Sequence, residues 1–271
     1  MGKVIKKKIQ GMNWLMKTGI VLLLTIATSV FMYEGWYNPK PAQAAISTVA
    51  GNAWSEIYSN QAAGRPATIS YTVNAGTGTN RLLVVAVSTE TATVAAETLS
   101  ITYGTRSMTA QRTDGGTTSA HSYLFTLKES ELDLASNTNL VFTFGGATAS
   151  CTAVYATVFD NVDQTTPITG NTGNTGTTNT TLTTPIVPLA NEVTVEVVSM
   201  GRATNGTART ISGAATNWTI TTTGTALTDG TRMLNPYILT NTTAGSTAAT
   251  HTISSVTAST YSMSAMRINQ G

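Results

Sequence analysis

Two aspartates three residues apart, Asp160 and Asp163 in "VFDNVDQTTPITG", come nearest to a reactive constellation in this chain. Hard cations gather clustered oxygens, so the pair is a candidate half of a Ca²⁺ site, with calcium as the cofactor it would take. The competing reading is structural. Asx side chains at a strand end bond their own backbone and start turns, and Pro167 stops a strand from continuing. Glu129, Glu131 and Asp133 form a second acidic cluster that reads as a solvated loop. The histidines, His121 and His251, fall in strand patterns as packed or edge residues. Cys151 alternates with Ala153 and Tyr155 as a small buried hydrophobe. No G-x-S-x-G, H-E-x-x-H or Walker pattern occurs. The chain therefore reads as non-enzymatic, and no catalytic residue is assigned.

Binding chemistry is the other option. Aromatic rings stack on sugar faces, and Trp54, in "AWSEIY", is the ring that stands ready for a glycan; Trp218 alternates with Ile220 as a core residue would. Trp54 belongs to a strand-like apolar arm, residues 45–64, that ends at the Gly64-Arg65-Pro66 break. Its apolar positions are Ile46, Val49, Trp54, Ile57 and Tyr58. Such an arm either pairs with its own sheet or adds a strand to a neighbouring copy. In the second case self-association would give a head-to-tail homopolymer.

The elements that must position these residues are strands. Period-two alternation places Ile69, Tyr71 and Val73 on one face, then Leu99, Ile101 and Tyr103, then His121, Tyr123, Phe125 and Leu127. Leu140, Phe142 and Phe144 follow, and Val193, Val195 and Val197 alternate with Thr194 and Glu196. "RLLVVAVS" (81–88) is apolar on both faces, as a strand covered on both sides would be. Twelve to fourteen short strands separated by Gly, Asn and Asp turns predict an all-β fold: a single two-sheet antiparallel sandwich, jelly-roll-like. The halves, about 65–164 and 185–271, echo one another, which predicts an internal pseudo-repeat, with two independent domains as the alternative. The Thr/Asn/Gly-rich stretch 165–184 reads as the exposed connection between them.

Residues 1–44 read as an export signal. Lys3, Lys6, Lys7, Lys8 and Lys17 precede the uncharged apolar run Ile20 to Met32, and Ala42-Gln43-Ala44 matches an A-x-A cleavage site. A run of thirteen residues falls short of the ~20 that cross a bilayer, so the membrane is met only through this leader; an uncleaved anchor is the alternative. Beyond residue 44 there are 9 basic and 12 acidic residues. No basic surface remains to neutralise phosphates, so nucleic acid is excluded as a partner. Of 271 residues 55 are Thr, a β-former that hydrates without charge.

The segments "NRLLVVAVS", "ITYGTRSMT", "SYLFTL", "NTNLVFTF", "AVYATVFDNVDQTTPI" and "NEVTVEVVS", in that order, resemble a β-sandwich module common in bacterial exported and surface proteins. The shared marks are the Tyr103-Gly104 turn followed by Met108-Thr109, and the Asn161-Val162-Asp163-Gln164-Thr165-Thr166-Pro167 turn. The resemblance spans about residues 65–268 and implies a jelly-roll-like fold. It carries no defined activity, so no functional residue transfers.

Together these readings predict an extracellular structural or adhesive protein of the cell surface. A filament subunit assembled by strand donation is the leading form, and a stand-alone carbohydrate-binding sandwich is the alternative.

Overall fold

The computed structural model describes residues 44–60, 66–91, 97–115, 118–146, 149–177, 181–202, 209–229, 231–245, 249–253 and 259–271. The export signal predicted for residues 1–44 lies, apart from Ala44, outside the described residues. Strands make up 65% of the described residues and helix 2%, the strand pairings are antiparallel, and the all-β sandwich class is as predicted. No helix among the described residues is long and apolar enough to cross a membrane.

The sandwich is doubled. Among the described residues there are four sheets instead of two, stacked as four layers. The first inner sheet contains β1 (Ser47–Thr48), β2 (Ser55–Asn60), β4 (Leu82–Thr91), β7 (Thr109–Asp114), β8 (Ala120–Lys128) and β10 (Ala149–Asp160). Its strand order is β2-β10-β4-β8-β7. The second contains β11 (Ile168–Thr177), β13 (Glu192–Arg202), β15 (Thr219–Thr223), β16 (Leu227–Thr228), β17 (Met233–Asn241) and β19 (Ser259–Asn269), ordered β11-β19-β13-β17-β15. The outer layers are β3 (Thr68–Thr72), β9 (Asn139–Gly146), β5 (Glu97–Tyr103) and β6 (Arg106–Ser107) on one side. On the other are β12 (Thr181–Thr184), β18 (Ala249–Ile253) and β14 (Ile211–Gly213).

Side-chain alternation explains the layering. Along β4, Leu83, Val85 and Val87 pack against Phe142 and Ile101 of the first outer sheet, while Leu82, Val84 and Ala86 pack against Val195 and Ile238 of the second inner sheet. Burial on both faces is what the apolar run 81–88 predicts. On β13 the Thr194 and Glu196 face is covered too, by the second outer sheet, so both side chains are buried.

Register shows the pseudo-repeat directly. Val87 stands opposite Tyr123 and Val154, and Val198 stands opposite Tyr237 and Met263. Each half is thus a sandwich of its own. The halves meet through their inner sheets about a pseudo-two-fold axis: β4 packs on β13, and β8 on β19 as β17 does on β10. Ser88 and Ser199, equivalent in the two registers, bond each other at 2.6 Å across this interface.

The stretch 165–184 departs from its predicted role. It supplies β11 and β12 rather than an exposed connection. Thr favours strands, and the glycines make room for side chains of neighbouring strands. A Cβ on Gly173 would sit 1.9 Å from the Asp114 carboxylate, and one on Gly176 would sit 2.7 Å from the Tyr261 ring. By the same pseudo-symmetry the N-terminal arm is the counterpart of β11: each closes one edge of an inner sheet.

Candidate functional site

The Asp160–Asp163 turn closes β10. Asn161 adopts a left-handed conformation (φ 57°), and Val162 is buried and bridged to Gln270. Asp163 Oδ1 accepts from the backbone N–H of Thr165 at 2.7 Å and of Thr166 at 2.9 Å, and its Oδ2 accepts from Asn269. Asp160 Oδ1 accepts from Ser47 Oγ–H and the Asn161 amide. The carboxylates therefore serve two separate sets of donors, and the turn joins the arm, α1 (Glu129–Leu132) and the C-terminus. Gln164 ties it to the backbone N–H of Glu129 at 3.0 Å. Among the described residues no three His, Cys, Asp or Glu side chains gather as a metal site would require. Glu129, Glu131 and Asp133 are not a free solvated loop: Glu129 and Asp133 pair with Arg81, and Glu131 pairs with Arg106.

The arm pairs with its own sheet. Ser47 and Thr48 stand opposite Asp160 and Phe159, and Ser55 to Asn60 run antiparallel to Ala156 to Thr152. Val49, Trp54 and Ile57 are buried, while Tyr58 and Ile46 are partly buried. Trp54 meets Phe159 edge to face, with ring centroids 6.4 Å apart. This corrects its predicted role as an open stacking platform, because the ring faces are spent on the core. Its Nε1–H is buried without an acceptor. Beside the arm lie two joined clefts of about 190 and 340 Å³, which share Ile46, Val193 and Thr242.

The largest group of buried chemistry is one the sequence reading did not assemble. Where β4 crosses β13 the interface turns polar. Ser119 donates to Glu90 at 2.8 Å, and Arg232 Nη1 approaches the same carboxyl at 3.5 Å. Ser122 bonds Ser262 and Ser264. Glu90 is fully buried, and desolvation pushes its carboxyl up to about 7, against the donors Ser119 and Arg232. Its free oxygen fills the space over Gly201, where a Cβ would stand 1.6 Å away. Gly201→Ala is expected to cost about 1–3 kcal/mol by overpacking, measured by urea unfolding. Cys151, nearby and buried as expected, has its thiol pushed up to about 12, mainly by desolvation.

A second polar group lies between β13 and the second outer sheet. Thr184 donates to Glu196 at 2.5 Å, and His251 Nε2 lies 3.4 Å from the same carboxyl oxygen. His251 Nδ1 accepts the Ala215 N–H at 3.1 Å, which fixes the tautomer, and Trp218 packs edge-on against the imidazole. In the matching registers of the first half stand Val85 and Phe142. Aligning the halves strand by strand was the signal that could have found the pair.

No protein-family model matches the chain, and no curated protein matches it. A solved structure described as "Crystal Structure of the STIV MCP" shares 8% identity over 83% of this chain and 96% of its own, at a TM-score of 0.24. That likeness is too slight to bear on fold or role.

The solvent faces of the outer sheets are uncharged and hydroxylated. Thr68, Thr143 and Ser100 form one row across three strands, and Thr181 with Thr252 and Thr183 with Thr250 form two more on the opposite side.

Proposed function

We propose that this chain is a non-enzymatic structural protein of the cell exterior, a contact-making subunit that polymerises by passing its N-terminal arm from one copy to the next. The observation that carries the reading is the arm: β1 and β2 complete the β10 edge from the N-terminal side of the sandwich. A terminal strand that closes its own edge makes the same hydrogen bonds on the edge of another copy, and head-to-tail exchange yields an open filament. The charge-free hydroxylated outer faces support adhesion through contact. The basic leader with its apolar run, ending in Ala42-Gln43-Ala44, supports export.

Cysteine cross-linking tests the exchange. Ser59 and Ala153 face each other across β2 and β10, and opposed antiparallel residues lie about 4.5–5.5 Å apart at Cα, within disulfide reach. Ser59→Cys with Ala153→Cys, in a Cys151→Ser background of the full chain, is expected to give a ladder of linked multimers on non-reducing gels. A monomer band alone at every protein concentration overturns the proposal.

A further inference from the structure

We infer that the open edge of β3 pairs with the same edge of a second copy of this chain, about a two-fold axis at Ser70. Backbone direction carries the inference. The Phe144 N–H donates to the Ala67 carbonyl, and the Val73 N–H donates to the Thr138 carbonyl, both between β3 and the line of β9. Bonding direction alternates along a strand. Ile69 and Tyr71 therefore also turn their backbones to β9, while Thr68, Ser70 and Thr72 turn theirs outward. These three residues are exposed, and no described residue bonds their outward N–H and C=O groups. Those groups face water, within reach of an incoming strand.

An edge of this kind is a template for pairing, and folded chains blunt such edges with charge, bulges or brevity. Most other edges of this molecule show those devices. β7 has a bulge between Ala110 and Arg112 and carries Arg112 and Asp114. β11, β14 and β15 each have a bulge as well. β2 carries Glu56, and β6 is two residues long. β3 differs: it runs five residues in unbroken register with β9, without a charge or a proline. Its counterpart in the second half, β12, is shorter and shows no exposed apolar side chain.

The strand's own pattern selects the occupant. Thr68-Ile69-Ser70-Tyr71-Thr72 reads hydroxyl, apolar, hydroxyl, apolar, hydroxyl in either direction. Antiparallel pairing about Ser70 sets Ser70 against its copy and Thr68 against the copy's Thr72. All of these are outward-bonding positions, so the contact gains about six backbone hydrogen bonds, two from each pair. Between them Tyr71 stands beside the copy's Ile69, a favoured contact of an aromatic with a β-branched side chain. Tyr71 shares the core-facing side of β3 with buried Ile69, yet it is 44% exposed, because no strand flanks it on the open edge. A second β3 covers it. No like charges meet across the axis. Strand exchange uses the β10 edge of an inner sheet, so the two contacts occupy different edges, and this one closes as a dimer.

A cysteine on the axis tests the pairing. Ser70→Cys, in a Cys151→Ser background of the full chain, sets two thiols on residues whose Cα atoms lie about 5.5 Å apart, within disulfide reach. A single linked dimer band is expected on non-reducing gels, with no higher species. Thr143→Cys is the control for random collision: it is exposed on the same sheet, but β3 and β5 flank it on both sides. It is expected to give no such band. Thr68→Cys with Thr72→Cys reports the same axis at its other pairs. Adding Ser70→Lys to that variant opposes two ammonium groups across the axis, and is expected to abolish its dimer. Absence of the Ser70→Cys dimer at every protein concentration overturns the inference. So does an equal band from Thr143→Cys, or a dimer that survives Ser70→Lys. An edge taken by a strand of some other protein leaves the purified chain without the dimer, which overturns it too. The Ser59 and Ala153 ladder is read on separate variants, so a ladder without this dimer counts against the β3 edge alone.

Discussion

Replacing His251 by alanine is expected to lower the unfolding free energy by about 2–5 kcal/mol, the worth of one unmet buried donor together with a cavity. The imidazole is fully buried. Its loss leaves the Ala215 N–H without an acceptor and strips the Glu196 carboxyl of the ring beside it. It also opens a cavity against Trp218, since surroundings relax only in part. Apolar replacement of a buried polar pair is often neutral or better, and the first half of this chain already shows the replacement. Val85 and Phe142 occupy the registers of Glu196 and His251 and pack fully buried. Glu196→Val with His251→Phe is therefore expected to recover most of the stability that His251→Ala loses. Urea midpoints of the parent, single and double variants decide the matter. A double variant no more stable than the alanine variant would mean that the two halves do not share one packing plan.

Much of the layered fold was legible because strand alternation is written in the side chains. The run 81–88, apolar on both faces, announces a strand with sheets on either side, and β4 is that strand. The layer count was not legible. Thr194 and Glu196 look like a solvent face, yet the second outer sheet covers them, and only the identity of the covering strands reveals it. Residues 165–184 misled for a related reason: Thr, Asn and Gly compose both connections and tightly apposed strands. What separates the cases is a neighbour such as the Asp114 carboxylate over Gly173, distant in sequence. The turn at Asp163 was readable because its bonds reach two and three residues ahead. Trp54 misled: its place in the N-terminal arm predicted display, and its packing against Phe159 decides for burial. The Glu90 group joins three distant segments, so no local spacing encodes it.

Glu90 also makes stability depend on pH. Its carboxyl titrates near 4.5 when exposed and at about 7 in the fold, raised chiefly by desolvation. Asp229 adds to the rise, while Ser119 and Arg232 oppose it. A folded state that holds its proton where the unfolded chain has released it loses stability as pH climbs. The contribution is fully present below about pH 4.5, falls through the interval up to about 7, and is flat above. At 1.36 kcal/mol per unit the interval amounts to about 3 kcal/mol. Glu90→Gln keeps the shape over Gly201 and cannot ionise, so it should lack this slope. Other acids titrate in the same range, and for that reason the quantity to measure is the stability difference between parent and Glu90→Gln. Urea unfolding at pH 5 and pH 8 is expected to show that difference moving by about 2.5 kcal/mol in favour of the glutamine variant at the higher pH. A difference that stays constant between the two would show that Glu90 ionises in the fold as it does in the open chain, with water or Arg232 supplying what burial removes.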